Sequence, residues 1–114
     1  MQTVIKSAPT DTAKLYLSGP IEQAKQILRR EVMSGLCVTI EPTLFIYTGG
    51  EESGYVVGLL NYPRFPSAPD AIWTRALELA EVLMRETYQH SALVVTPDES
   101  TWITCRVDGS VVSK

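Results

Sequence analysis

The amino-acid sequence predicts an α+β domain: a mostly antiparallel sheet with two helices on one face, in the order β-α-β-β-α-β-β. That is a ferredoxin-like arrangement with an extra strand. Three observations carry the prediction. Apolar residues recur with the helical period in two stretches, near 20–35 and 69–88. The runs around them are rich in β-branched and aromatic residues, several with period-two alternation. Two pairs of these runs are joined by short connectors of turn-forming residues, "GGEESG" (49–54) and "PDES" (97–100). The chain divides into an N-terminal arm or edge strand (1–12), a single domain (13–107) and a C-terminal tail (108–114).

The elements follow in order. "AKLYLS" (13–18) alternates, with Leu15 and Leu17 on one side and Lys14 and Tyr16 on the other, as a half-buried strand does. In the first helix Ser18 or Gly19 caps, Pro20 suits the first helical position, and Glu22 lies in the positively polarised first turn. Ile21, Ala24, Ile27, Leu28 and Val32 make its apolar stripe, and Gly35 ends it. "LCVTIEPTLFIYT" (36–48) is strand-like, and Pro42 within it predicts a bulge or register shift at an edge or bend. "YVVGLLNY" (55–62) completes a hairpin, with Gly58 marking a close approach by a helix or another backbone.

"PRFPSAP" reads as a rigid loop, and Ser67 with Asp70 forms the pattern of a capping box. The second helix spans about Pro69 to Tyr88. It buries Ile72, Trp73, Ala76, Leu77, Ala80, Leu83 and Met84 and exposes Arg75, Glu78, Glu81 and Arg85. "SALVVT" (91–96) and "TWITCRV" (101–107) make the final hairpin, broken at Gly109.

Composition excludes several classes. The 114 residues include 45% hydrophobic ones, enough for one core without staples. A net charge of −3 with no basic stripe argues against binding to a nucleic-acid backbone. One histidine and two widely separated cysteines give no metal-ligand spacing, so neither a metal nor a cofactor is expected. Cys37 and Cys105 sit in apolar runs and read as buried free thiols, unless their strands are neighbours and a disulfide joins them. No apolar run approaches the roughly 20 residues of a membrane span. "MQTVIKSAPTDT" has no apolar leader core, and the expected compartment is the cytoplasm.

Each candidate site has a plain reading beside it. Glu51 and Glu52 read as solvated acids of a hairpin loop, since neighbouring residues of a turn point apart. His90 lies just past the second helix, where the helix dipole alone accounts for it. Gly49, Gly50 and Gly54 do not open a helix and stand beside two glutamates, which disfavours a phosphate cradle. The aromatic residues are the stronger candidates. Tyr16, Phe45, Tyr47 and Trp102 fall on the sheet face away from the helices, unless Pro42 shifts the register and buries Phe45 and Tyr47. Tyr62, Arg64 and Phe65 of "NYPRFP" are residue types enriched at binding hot spots.

Two fragments carry a resemblance. "LYLSGPI" (15–21), followed by an amphipathic helix, resembles the opening of nucleoside 2-deoxyribosyltransferases. "ESGYVVGLLNYP" (52–63) is similar to that family's catalytic Glu-x-Gly-Tyr segment. The resemblance implies a five-stranded parallel architecture. In it Glu52 is the nucleophile, and Tyr16 with the Gly19-Pro20 turn frames the sugar or base.

The residues themselves lead first to a non-enzymatic interaction module that self-associates, a dimer at first guess, and that takes a protein partner. In size, acidity and want of a catalytic constellation it looks like the accessory and inhibitor proteins of phages and mobile elements. The alternative is a nucleoside- or nucleotide-binding protein, or a deoxyribosyltransferase-like enzyme using Glu52.

Overall fold

The computed structural model describes residues 1–64 and 66–105. Its elements are β1 (Thr12–Ser18), α1 (Ile21–Glu31), β2 (Val38–Tyr47), β3 (Gly50–Leu60), α2 (Pro69–Glu86), β4 (Ser91–Val95) and β5 (Ser100–Thr104). The strands form one sheet in the order β2-β3-β1-β4-β5, with every neighbouring pair antiparallel. Both helices lie on the same face, so the predicted α+β architecture is the observed one. Phe65, Arg106, Gly109 and the tail fall outside the described residues.

Alternation along the strands decides what the helices cover. Leu15 and Leu17 of β1, Tyr55, Val57 and Leu59 of β3, and Val94 of β4 are almost wholly buried. They pack against Ala24, Ile27 and Leu28 of α1 and Ala76, Leu79, Ala80 and Leu83 of α2. At roughly 25 cal/mol per Å² of apolar surface, this single layer supplies the main driving force for folding. Arg30 then ties α1 to α2 by forking across both carboxylate oxygens of Glu86. That guanidinium holds the Glu86 carboxyl below the usual carboxylate range.

The register of β2 explains its proline. Pairing runs without a break from Val38–Leu59 to Tyr47–Gly50, so the expected bulge at Pro42 is absent. Ser53 accepts from the Gly19 amide, and the Asn61 amide donates to Asp11. Odd-numbered residues of β3 therefore turn their backbone groups to β1, and even-numbered ones to β2. Pro42, opposite Tyr55, turns its nitrogen outward, where β2 is the edge of the sheet and no ladder bond is lost.

Several boundaries differ from the sequence expectation. Pro20 itself caps α1, and a short 3-10 turn (Val32–Ser34) precedes Gly35, whose φ of +110° closes the segment. No side-chain bond caps α2, whose N-cap is Ala68, so the Ser67–Asp70 box does not form. Instead the Ser67 amide donates to Asn61 Oδ1, while Asn61 Nδ2 donates to the Pro9 carbonyl. Asn61 thus pins the N-terminal arm, which carries no regular structure before Thr12, to the loop after β3. At its other end α2 stops two residues early, with Tyr88 in the left-handed region and the Gln89 amide donating back to Met84.

Both cysteines are free, as expected, but exposed rather than buried. Cys37 adjoins β2 and Cys105 follows β5, at opposite edges of the sheet. No helix among the described residues is long and apolar enough to cross a membrane.

Candidate active site

The face of the sheet away from the helices is built by the residues between the buried ones. Cross-strand pairing sets out one row as Glu41, Val56, Tyr16, Leu93 and Trp102, running across all five strands. The neighbouring row contains Thr43, Gly54 and Ser18, and beyond it Phe45 stands opposite Glu52. Tyr16, Val56, Leu93 and Phe45 are half-buried, while Trp102 stays 45% exposed. The result is a shallow apolar platform of rings and aliphatic side chains with carboxylates at its margin.

Glu51 and Glu52 are exposed, as the sequence predicts, but their place in the fold differs from the prediction. "GGEESG" is not a loop. The turn is only Thr48–Gly49, with Gly49 at φ +88°, and β3 already begins at Gly50. Glu51 and Glu52 are therefore strand residues and project from opposite faces. Glu52 joins the open face, where Oε1 accepts a 2.8 Å hydrogen bond from the Ser18 hydroxyl. That bond occupies one carboxylate oxygen, and Oε2 makes no hydrogen bond among the described residues.

Gly54 is required by the same neighbourhood. A Cβ built there would lie 2.5 Å from Phe45 Cε2 and closer still to the Leu17 carbonyl oxygen. The Phe45 ring lies across the glycine, which replaces a side chain that the crowded β2–β3–β1 junction cannot hold. Gly58 likewise faces Thr39, whose hydroxyl would lie 2.5 Å from an added Cβ. The close approach is by a side chain of the next strand, not by a helix or backbone.

The structure brings Tyr16, Phe45, Ser18 and Glu52 into one region and sets Trp102 at the far end of the same row. Tyr47 is exposed at the hairpin turn, with its ring beside Gly50. Tyr62 and Arg64 lie beyond the other end of β3, with Val4 and Lys6 of the arm, and do not belong to this platform. Phe65 is outside the described residues. His90 anchors β5 through its carbonyl, which accepts from the Cys105 amide and the Thr104 hydroxyl. No cluster of three metal-ligating side chains occurs among the described residues. Sequence reasoning missed Ser18, Glu41, Val56 and Leu93. Carrying the alternation of β1 through Ser18, and of β3 back through Glu52, would have found two of the key positions.

The wholly antiparallel sheet also departs from the parallel architecture that the deoxyribosyltransferase resemblance implies. No family model matches the chain, and no curated protein matches it in sequence. Among solved structures it is similar to a phage SAM lyase in the apo state, with TM-score 0.69 and 13% identity, over 92% of this chain and 98% of that one. It is similar also to a phage SAM lyase in complex with S-methyl-5'-thioadenosine, with TM-score 0.59 and 10% identity, over 92% and 97% of the two chains. At such identities the likeness shows the fold. It nevertheless overturns the expectation of a non-enzymatic interaction module, because the solved chains that share this architecture almost end to end are enzymes. The alternative, a nucleoside- or nucleotide-binding protein or an enzyme acting on such a ligand, fits them better.

Proposed function

We propose that this chain is an enzyme that cleaves S-adenosylmethionine, holding the substrate's nucleoside against the open face of the sheet. The observation that carries the reading is the near-complete match of architecture to a lyase structure that holds S-methyl-5'-thioadenosine. The open face supplies a second support: it has the rings, the aliphatic floor and the oriented carboxylate that such a ligand needs.

S-methyl-5'-thioadenosine is what remains of S-adenosylmethionine when the bond from sulfur to the aminobutyrate arm breaks. The electron pair of that bond goes to sulfur, and the sulfonium becomes a neutral thioether. The arm completes its own valence, either by losing a proton to form an alkene or by closing on its own carboxylate. Atoms and charge balance in both routes without water. Positive charge disappears at sulfur along the path, so removing the sulfonium from water favours the transition state over the ground state. Tyr16, Phe45, Val56 and Leu93 form the apolar floor for that task. Adenine stacks on one of the exposed rings, and Trp102 offers the largest face. Glu52, its Oε1 held by Ser18, pairs through Oε2 with the α-ammonium of the aminobutyrate arm, away from the sulfonium.

The test is to incubate the purified chain with S-adenosylmethionine and follow S-methyl-5'-thioadenosine by liquid chromatography and mass spectrometry against a buffer blank. Wild type releases product above the blank, and both compounds raise Tm by mass action. Glu52→Gln keeps the folded circular-dichroism spectrum and loses about 10²-fold or more in kcat/KM, the scale of a lost transition-state contact. No product above the blank, together with no thermal shift by either compound, would refute the reading.

A further inference from the structure

The β2–β3 hairpin carries at its tip aliphatic side chains that the described residues leave half or more exposed. Along β2 the residues facing the helix side are Val38, Ile40, Pro42, Leu44 and Ile46. The first two pack against the core, whereas Leu44 and Ile46 are 49% and 76% exposed. Glu51 stands directly opposite Ile46 on β3, so the tip presents two aliphatic side chains with a carboxylate beside them.

A surface of the opposite kind lies at the root of the same hairpin. Between α1 and β2 runs an open groove of about 440 Å³. Leu28, Val32, Val38 and Ile40 line it with apolar surface, and Lys25 and Arg29 stand at its rim. Lys25 is held by Glu22 in a 2.9 Å ion pair, but Arg29 is exposed and pairs with no carboxylate among the described residues. In a chain of net charge −3, an apolar groove with a cationic rim is the local exception. The tip matches it in both respects, apolar to apolar and carboxylate to guanidinium. Ile40 and Ile46 lie on one straight strand, roughly 20 Å apart, so a tip cannot enter its own groove.

We propose that the hairpin tip of one copy docks in the α1–β2 groove of a second copy, with Leu44 and Ile46 in the groove and Glu51 paired to Arg29. Tip and groove are different surfaces, so each contact leaves one of each free. Two copies satisfy both by reciprocal exchange, and more copies satisfy them in a closed ring. The inference rests on the exposed tip and the groove alone and stands apart from the proposed reaction.

Sedimentation velocity of the full chain over a dilution series tests it. Wild type sediments as a dimer or a larger closed species. Ile46→Asp places a charge in the apolar contact and shifts the chain to monomer, with an unchanged circular-dichroism spectrum because the side chain is already exposed. Glu51→Arg and Arg29→Glu each weaken association about tenfold or more, and the double variant restores it, an outcome that separates a charge pair from a folding defect. A monomeric wild type overturns the proposal. So does an Ile46→Asp chain of unchanged mass, or a charge-swapped pair that associates no better than its single variants.

Discussion

The two faces of the sheet are made by the same strands, residue by residue in alternation, yet they have little else in common. Toward the helices stand Leu15, Leu17, Val57, Leu59 and Val94, aliphatic and fully covered. Away from them stand Tyr16, Ser18, Glu52, Val56 and Leu93, mixed in chemistry and covered only in part or not at all. The first set is what a two-layer fold needs in order to exist. The second contains a carboxylate in a side-chain hydrogen bond, next to the Phe45 ring laid over Gly54. The lesson is that stability rests on one face and the proposed chemistry on the other, and adjacent residues of one strand should answer very differently to substitution.

The sharpest way to break that comparison is to truncate neighbours. Leu17→Ala removes a buried aliphatic group from the helix side and is expected to cost about 3–5 kcal/mol. Tyr16→Ala, one residue earlier, is expected to cost about 1 kcal/mol, since a half-buried ring leaves no sealed cavity. Urea denaturation of both variants checks the difference. Equal losses would make the open face a second core and remove its claim to be a site.

Glycine replacements sharpen the comparison at closer range. Gly54→Ala drives a methyl group into the Phe45 ring and the Leu17 carbonyl, and one of those obstacles is backbone that cannot rotate away. A loss of about 2–3 kcal/mol is expected, within the range for overpacking. Gly58→Ala meets chiefly the Thr39 hydroxyl, which a rotamer change relieves, and should cost less. Thermal melts that rank the two variants the other way would mean that Phe45 does not hold its place over Gly54.

Tyr55 is the polar exception on the helix side. Among the described residues its buried hydroxyl has no partner at hydrogen-bonding geometry, and the Thr87 hydroxyl beside it, close enough to favour the phenolate, gives its proton to the Leu83 carbonyl. Burial pushes the phenol up to about 12, and Thr87 offsets this only in part. Below the unfolded value near 10 both states hold the proton and nothing is lost. Above it the unfolded chain ionises first, so stability falls as pH rises toward 12, by roughly 2–3 kcal/mol in all. Tyr55→Phe should abolish that alkaline loss while leaving stability at neutral pH unchanged or slightly higher, because no hydrogen bond is removed. Denaturation midpoints measured between pH 9 and 12 read this directly, and an alkaline loss that survives in the Phe variant would assign it elsewhere.

Much of the fold could be read in advance because the evidence for it is local. Leu15 and Leu17 announce a strand within a few residues, and Ile72 through Met84 announce a helix by their spacing. The site was harder to read, because its partners are remote in the chain. Glu52 gains its meaning from Ser18, 34 residues away, and Gly54 from the Phe45 ring across the hairpin. Seen alone, three glycines around two acids have the composition of a wet loop. In the sheet they become one turn residue, Gly49, and two strand residues, Gly50 and Gly54, of which Gly54 clears space for a ring. Pro42 misled for the same reason: its backbone direction depends on which strand lies beside it, and that is a property of topology rather than of spelling.

The outward nitrogen of Pro42 has one further effect. A sheet can lengthen sideways only where its border strand offers a complete set of donors and acceptors to a newcomer. On the β2 side that set has a gap in the middle of the strand, so a stray extended peptide finds no continuous seam there. Growth by strand addition, whether ordered or pathological, is thereby discouraged along the border that also carries the exposed tip of the hairpin.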